Sequence, residues 1–248
     1  MRVRIERDGP VARLTLNRPD VLNAADAEWV RDLGSAVTEL ETLGARVVVV
    51  TGAGRAFCTG VDLKALAADR FHLDDFVAWE DAMTAMERMD ALFIAAINGH
   101  CLGGGLQLAL VCDYRLAGAD ATLGLPAVKE RLIPSMALYR LPRLIGLARA
   151  QELIVLGEPI TAREAEGIGL VNRVVEPAEF GRELDRTVER FLALPPTTVA
   201  ASKRLMRQAF DLGFDEFRRR MEKEFAACLS SEEYRAAMAR VRNDTRRP

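Results

Sequence analysis

Residues 97–109 read INGHCLGGGLQLA, an apolar strand that runs into three consecutive glycines and then into an apolar helix. Glycine allows a ligand to approach the backbone closely. The first amides of a helix have no partner within it, and the helix dipole adds partial positive charge there. Such an end stabilises a phosphate, a carboxylate or an oxyanion that develops during a reaction. The same glycines also suit a tight turn that only permits packing, and both readings stand on this segment alone. A phosphate loop is excluded because GxxxxGK[ST] and its lysine are missing, and the spacing is not GxGxxG.

A second segment, TGAGRAFCTGVDLK at residues 51–64, also follows an apolar strand. A backbone bend after Gly60 exposes a further amide. Lys64 either offers its ammonium to a phosphate or is a solvated surface lysine.

These segments need elements to position them. Residues 3–6 and 11–16 alternate around Asp8-Gly9-Pro10, which predicts a β-hairpin. Residues 25–42 carry Trp29, Val30, Leu33, Val37 and Leu40 at helical spacing, and residues 74–89 also read as a helix. The runs 47–51 and 93–97 predict buried strands, and 114–117 a short one. A charged, mobile stretch is expected after Leu63. Strands and helices in alternation, with continuous apolar runs, point to an α/β architecture with covered sheets. From Leu147 onward helices dominate (147–156, 162–167, 179–194, 198–210, 214–229 and 232–241), interrupted by a strand at 171–175.

The 248 residues suffice for a substantial core, and 34 basic against 36 acidic residues give no long-range attraction for nucleic acid or an anionic membrane. A local basic patch (Arg240, Arg242, Arg246, Arg247) ends the chain. Four cysteines without a CxxC pair and two histidines give no metal-site spacing, so buried reduced thiols are expected. No apolar run has the ~20 residues of a membrane span, and the N-terminus lacks a signal-peptide h-region. The cytoplasm is the expected location.

The ordered set NRPDVLNA (17–24), VVVVTGAGRAFCTGVDLK (47–64), AAINGHCLGGGLQLALVCDYRLAGADATLGLP (95–126), IPSMALYRLPRLIG (133–146) and GEPITAREAEGIGLVNRVV (157–175) resembles the crotonase, or enoyl-CoA hydratase/isomerase, family. The resemblance implies the crotonase (ClpP/crotonase-like) fold: stacked ββα units over residues 1–195 bind an acyl-CoA thioester, and helices over 196–248 form homotrimers or homohexamers. It implies that the amides of Val61 and Gly104 form an oxyanion hole for the thioester carbonyl and its enolate. Leu22, Ala24, Val61, Asp62, Leu63 and Lys64 match positions that line the CoA moiety. No cofactor is implied, since CoA belongs to the ligand. Residues 65–75 and 132–139 would shape the acyl pocket.

The chain departs from the family at two positions. The glutamate of the GGGxE pattern is Gln107, and that of the GxPE pattern is Ala127. Glutamine hydrogen-bonds a water but does not take its proton at neutral pH, and alanine does neither. A positioned acid or base contributes ~10²–10⁴ in rate. Glu130 is the candidate substitute base, or else a surface glutamate. Tyr139, Glu80 and His100 are weaker candidates, Ser135 cannot serve as a base, and Asp62 reads as loop-shaping. Three functions stand open. One is an enzyme using another base, or a reaction needing little beyond the oxyanion hole, such as decarboxylation or slow isomerisation. The others are an acyl-CoA carrier without turnover and a scaffold with a decayed site.

Overall fold

The computed structural model describes residues 1–244. Its contacts divide the chain into two units, Met1–Phe191 and the residues from Leu192 onward. Arg246 and Arg247 of the basic patch lie outside the described residues.

In the first unit the chain runs β1 (Val3–Asp8), β2 (Val11–Leu16), α1 (Ala27–Leu43), β3 (Val47–Gly52), β4 (Ala56–Cys58), α2 (Leu63–Ala67), α3 (Leu73–Arg88), β5 (Leu92–Ile97), β6 (His100–Leu102) and α4 (Gly104–Leu110). It continues through β7 (Tyr114–Gly118), β8 (Thr122–Gly124), α5 (Ala137–Ile145), α6 (Leu147–Leu156), β9 (Ile160–Thr161), α7 (Ala162–Gly167), β10 (Arg173–Val175) and α8 (Phe180–Leu192). A six-stranded sheet has the order β1-β2-β3-β5-β7-β10, and a four-stranded sheet has the order β4-β6-β8-β9. Only the β1–β2 hairpin of the large sheet is antiparallel. Each of β3, β5 and β7 is followed at once by a strand of the small sheet, so a ββ step repeats along the chain.

Continuous apolar runs form the central strands because both faces are covered. Val47–Val50 and Phe93–Ile97 are buried throughout. Asp26 caps α1 by accepting from the Trp29 amide at 2.9 Å. Trp29 then meets Trp79 of α3 edge-on, ring centroids 5.1 Å apart. At the far end of β3 the Asn98 amide clamps Gly52, accepting from its N–H at 3.2 Å and donating to its carbonyl at 2.8 Å.

Two sequence expectations need correction, and one feature went unforeseen. The stretch after Leu63 is ordered: α2 begins there, capped by Asp62, and Phe71 is buried. The strand expected at 171–175 starts at Arg173, because Val171 and Leu170 close the α7 turn onto the Ala165 carbonyl. The small sheet was not foreseen, since most of its strands are three residues long.

The second unit contains α9 (Pro196–Gln208), α10 (Phe214–Leu229) and α11 (Glu232–Asp244). Arg204 of α9 pairs with Glu224 of α10 at 2.7 Å. Phe210, Phe214 and Phe225 are largely exposed. No helix among the described residues is long and apolar enough to cross a membrane.

Candidate active site

The segment carrying Val61 is held from behind. Ala25 donates to the Gly60 carbonyl at 2.8 Å and accepts from the Asp62 amide at 2.8 Å. A parallel bridge of this kind uses the residues on either side of Val61, so the N–H of Val61 itself points the other way. The Cys58 thiol donates to the Asn23 carbonyl at 3.2 Å and accepts from the Gly60 amide at 3.4 Å. Burial pushes that thiol up from the ordinary 9.0 to about 12, with the Gly60 amide opposing, so it stays neutral. Asp62 accepts from the amides of Lys64 and Ala65 at the start of α2 and pairs with Arg18 at 3.3 Å. Arg18 also reaches Asp26 at 3.0 Å and the Ala24 carbonyl. One guanidinium therefore fixes Ala24 and Asp62 together.

Asn23 is the latch behind this wall. It is fully buried with φ 58, a conformation asparagine tolerates better than most residues. Its side-chain N–H groups donate to the carbonyls of Ala53, Ala56 and Phe57 at 2.9, 2.8 and 3.2 Å, and its oxygen accepts from the Arg18 amide at 2.8 Å.

The glycine segment approaches from the other side. A Cβ on Gly104 would stand 2.3 Å from the Trp79 ring, and one on Gly105 would stand 2.1 Å from the Cys58 carbonyl oxygen. The start of α4 is thus pressed against α3 and β4, which only glycine permits. Gly104 is the first residue of α4, and among the described residues no group of the chain accepts from its amide or from that of Val61. The opposite end of α4 is capped by the buried Arg115, which donates to the carbonyls of Cys112, Leu170 and Ala109 at 2.6, 2.8 and 3.4 Å.

Both segments open onto one cavity of about 520 Å³. It collects Leu22, Ala24, Val61, Asp62, Leu63, Lys64, Gly104, Gln107, Ala127, Glu130 and Ser135. Lys64 and Glu130 are exposed. Residues Pro126–Val128 form a single 3-10 turn, and the Glu130 amide bonds the Ala127 carbonyl at 3.0 Å, so no α-helical face joins the two. Gln107 is 8% exposed, and its side-chain oxygen has no partner.

Other candidates fall elsewhere. His100 bonds Thr122 at 2.7 Å through Nδ1, and Glu80 pairs with Arg140 at 2.6 Å. Tyr139 lies under the Arg143 guanidinium, 3.4 Å from its ring centroid. None of the three lines the cavity. Residues 65–75 do not line it either; α3 supplies Phe76, Trp79 and Met83 instead. Of the expected 132–139 segment, Leu132, Ile133, Pro134 and Ser135 contribute.

The family model described as enoyl-CoA hydratase/isomerase matches residues 6–244. The chain belongs to the enoyl-CoA hydratase/isomerase family. It is 35% identical over 246 residues to a probable enoyl-CoA hydratase of Mycobacterium tuberculosis, covering 95% of this chain and 92% of that one. The crystal structure of enoyl-CoA hydratase from Mycobacterium smegmatis superposes with a TM-score of 0.92 at 31% identity, covering 100% of this chain and 98% of that one. A putative enoyl-CoA hydratase from Thermobifida fusca in complex with CoA gives a TM-score of 0.82 at 31% identity, covering 92% and 93%. The fold is the crotonase fold, with a helical C-terminal region.

Within this enoyl-CoA hydratase/isomerase chain, sequence reasoning missed Asn23, Trp79, Phe76 and Met83. Asn23 carried a signal, as a polar residue between apolar neighbours before a helix cap. Trp79, Phe76 and Met83 sit at ordinary amphipathic-helix spacing and carried none.

Proposed function

We propose that the cavity binds an acyl-CoA thioester with its carbonyl oxygen between the amides of Val61 and Gly104, where a thioester enolate is stabilised. One observation carries this: two backbone N–H groups without partners among the described residues belong to residues that line the same cavity, from segments packed backbone to backbone. The CoA complex of the Thermobifida fusca protein supports the ligand class. Lys64 on the exposed side would meet the phosphates. Removing one such donor costs ~2.7–4 kcal/mol of barrier.

Ordinary hydration lacks its acid and base, since Gln107 and Ala127 stand where the family pattern has glutamates. That substitution also favours a second function, a carrier that holds acyl-CoA without turnover. The exposed Phe210, Phe214 and Phe225 support assembly of the helical region into trimers or hexamers, which light scattering would measure.

Infrared difference spectroscopy with butyryl-CoA labelled at the thioester carbonyl tests the central claim. Two donors should shift the carbonyl stretch to lower frequency. An unshifted band in a saturated complex would remove the proposal.

A further inference from the structure

The cavity takes Phe76, Trp79 and Met83 from α3, and Leu132, Ile133, Pro134 and Ser135 from the segment that leads into α5. That segment is strained at both ends. Arg131 has φ 59 and Ser135 has φ 38, so the chain enters and leaves it in the left-handed region. Residues other than glycine rarely adopt that region, and such a backbone persists only where its surroundings hold it. At the near end the Leu132 amide donates to the Ala127 carbonyl at 2.8 Å. At the far end the strap, residues 131–135, runs into the first turn of α5, which carries Arg140.

The Arg140 guanidinium crosses to α3. Its Nη2 donates to Glu80 at 2.6 Å, to Glu87 at 3.0 Å and to Thr84 at 3.4 Å, and its Nε donates to Glu87 at 3.2 Å. Glu80, Thr84 and Glu87 form one stripe of α3, and Phe76, Trp79 and Met83 form the stripe beside it. One helix thus carries both a wall of the cavity and the anchor of the strap. Stability does not account for this cluster. Arg140 is 9% exposed, and its Nη1 and one oxygen of Glu80 are buried with no partner among the described residues. A buried ion cluster left partly unsatisfied contributes little net stability. What it supplies is a fixed spacing between α3 and α5.

Resting on the acyl-CoA reading above, we propose that Arg140 is a positioning residue that limits the depth of the acyl pocket. By tying α5 to Glu80 and Glu87 it holds the strap against the cavity, and the site selects short hydrocarbon acyl chains over long ones. Arg140 itself does not line the cavity, so it acts through Leu132, Ile133 and Pro134. Apart from Ser135, the side chains that the strap and α3 present there are apolar, which suits a hydrocarbon. With the tie cut, the strain at Arg131 and Ser135 is released, the strap recedes and the pocket lengthens.

Calorimetry on the full chain with CoA, butyryl-CoA and octanoyl-CoA tests this. The wild type should bind butyryl-CoA roughly 10-fold more tightly than octanoyl-CoA, a factor that one or a few misfitting methylenes supply. Arg140→Gln should bring the two affinities level by tightening octanoyl-CoA, with binding of CoA unchanged. Arg140→Lys, which still reaches a carboxylate, should restore part of the preference. Glu87→Gln removes one arm of the tie at a half-buried site and should shift the preference the same way by a smaller factor. A wild type that favours octanoyl-CoA would overturn the proposal. So would an Arg140→Gln protein that binds all three ligands more weakly by one common factor, since a purely structural role affects every ligand alike. If Arg140→Gln does not fold, an unchanged preference in Glu87→Gln overturns it. Each of these results leaves the acyl-CoA reading standing, whereas wild-type protein that binds neither acyl-CoA would overturn both.

Discussion

The backbone of Gly60 lies so close to that of Gly104 that a Cβ on Gly60 would stand 2.9 Å from the Gly104 nitrogen. Gly60 also has φ 94, outside the range side chains adopt readily. The contact sets the spacing between the Val61 and Gly104 amides. Gly60→Ala should therefore force the two segments apart, at ~1–3 kcal/mol of stability. Loss of a donor should reduce the infrared shift of a bound thioester and lower any turnover about 10²-fold. A folded Gly60→Ala protein with an unchanged carbonyl band would show that the spacing does not matter.

Asn23 makes a different kind of prediction. Asn23→Ala leaves the carbonyls of Ala53, Ala56 and Phe57 without their side-chain donor, the last two on fully buried residues. The expected loss is about 3 kcal/mol of unfolding free energy. Asn23→Asp keeps the shape but turns an acceptor toward three carbonyl oxygens, so it should be the more severe change. Denaturant titration of both variants decides this. A loss below ~1 kcal/mol in each would mean that the neighbouring backbone bonds already suffice.

Much of the frame was legible because its periods are long. The hairpin, the runs 47–51 and 93–97 and the first amphipathic helix all reappear as β1–β2, β3, β5 and α1. The strands β4, β6 and β8 did not show, since three residues cannot display alternation. The cavity gathers Val61, Gly104, Gln107 and Ala127 from segments far apart in sequence, and glycines at bends were the visible sign. Trp79 was invisible as a wall residue: its spacing from Met83 and Met86 is that of any buried helix face. Which core residue meets a cavity depends on where α3 crosses α4, and that is a tertiary matter.

Cys58 gives the chain an alkaline limit. Burial raises its thiol from 9.0 to about 12, and Cys101 is also raised well above its ordinary value, by burial first and then by the neighbouring Cys58 and Cys112. Below about pH 9 the thiol is protonated whether the chain is folded or unfolded, and stability is insensitive to it. Between pH 9 and 12 the unfolded chain releases a proton that the folded chain retains, so folding becomes less favourable as pH rises. A gap of three pH units corresponds to roughly 4 kcal/mol by the top of that range. Unfolding titrations at pH 8 to 11 should show a shallower decline for Cys58→Ala than for the wild type. Parallel curves would assign the alkaline loss to other groups.

Gln107 and Ala127 make the chemistry of the cavity switchable. Gln107→Glu puts a carboxyl group in a neutral wall, where burial would raise its pKa and suit it to handle a proton near neutral pH. Ala127→Glu adds the second group on the 3-10 turn that lines the same cavity. With both present, hydration of crotonyl-CoA should rise at least ~10²-fold above the wild type, because each positioned acid or base contributes ~10²–10⁴. Each single change should yield far less, since water addition needs one group to take a proton and another to give one. Loss of the enoyl thioester absorbance measures the hydration. If the double variant folds and binds butyryl-CoA yet hydrates no faster than the wild type, the two side chains do not face the reacting carbons from positions 107 and 127.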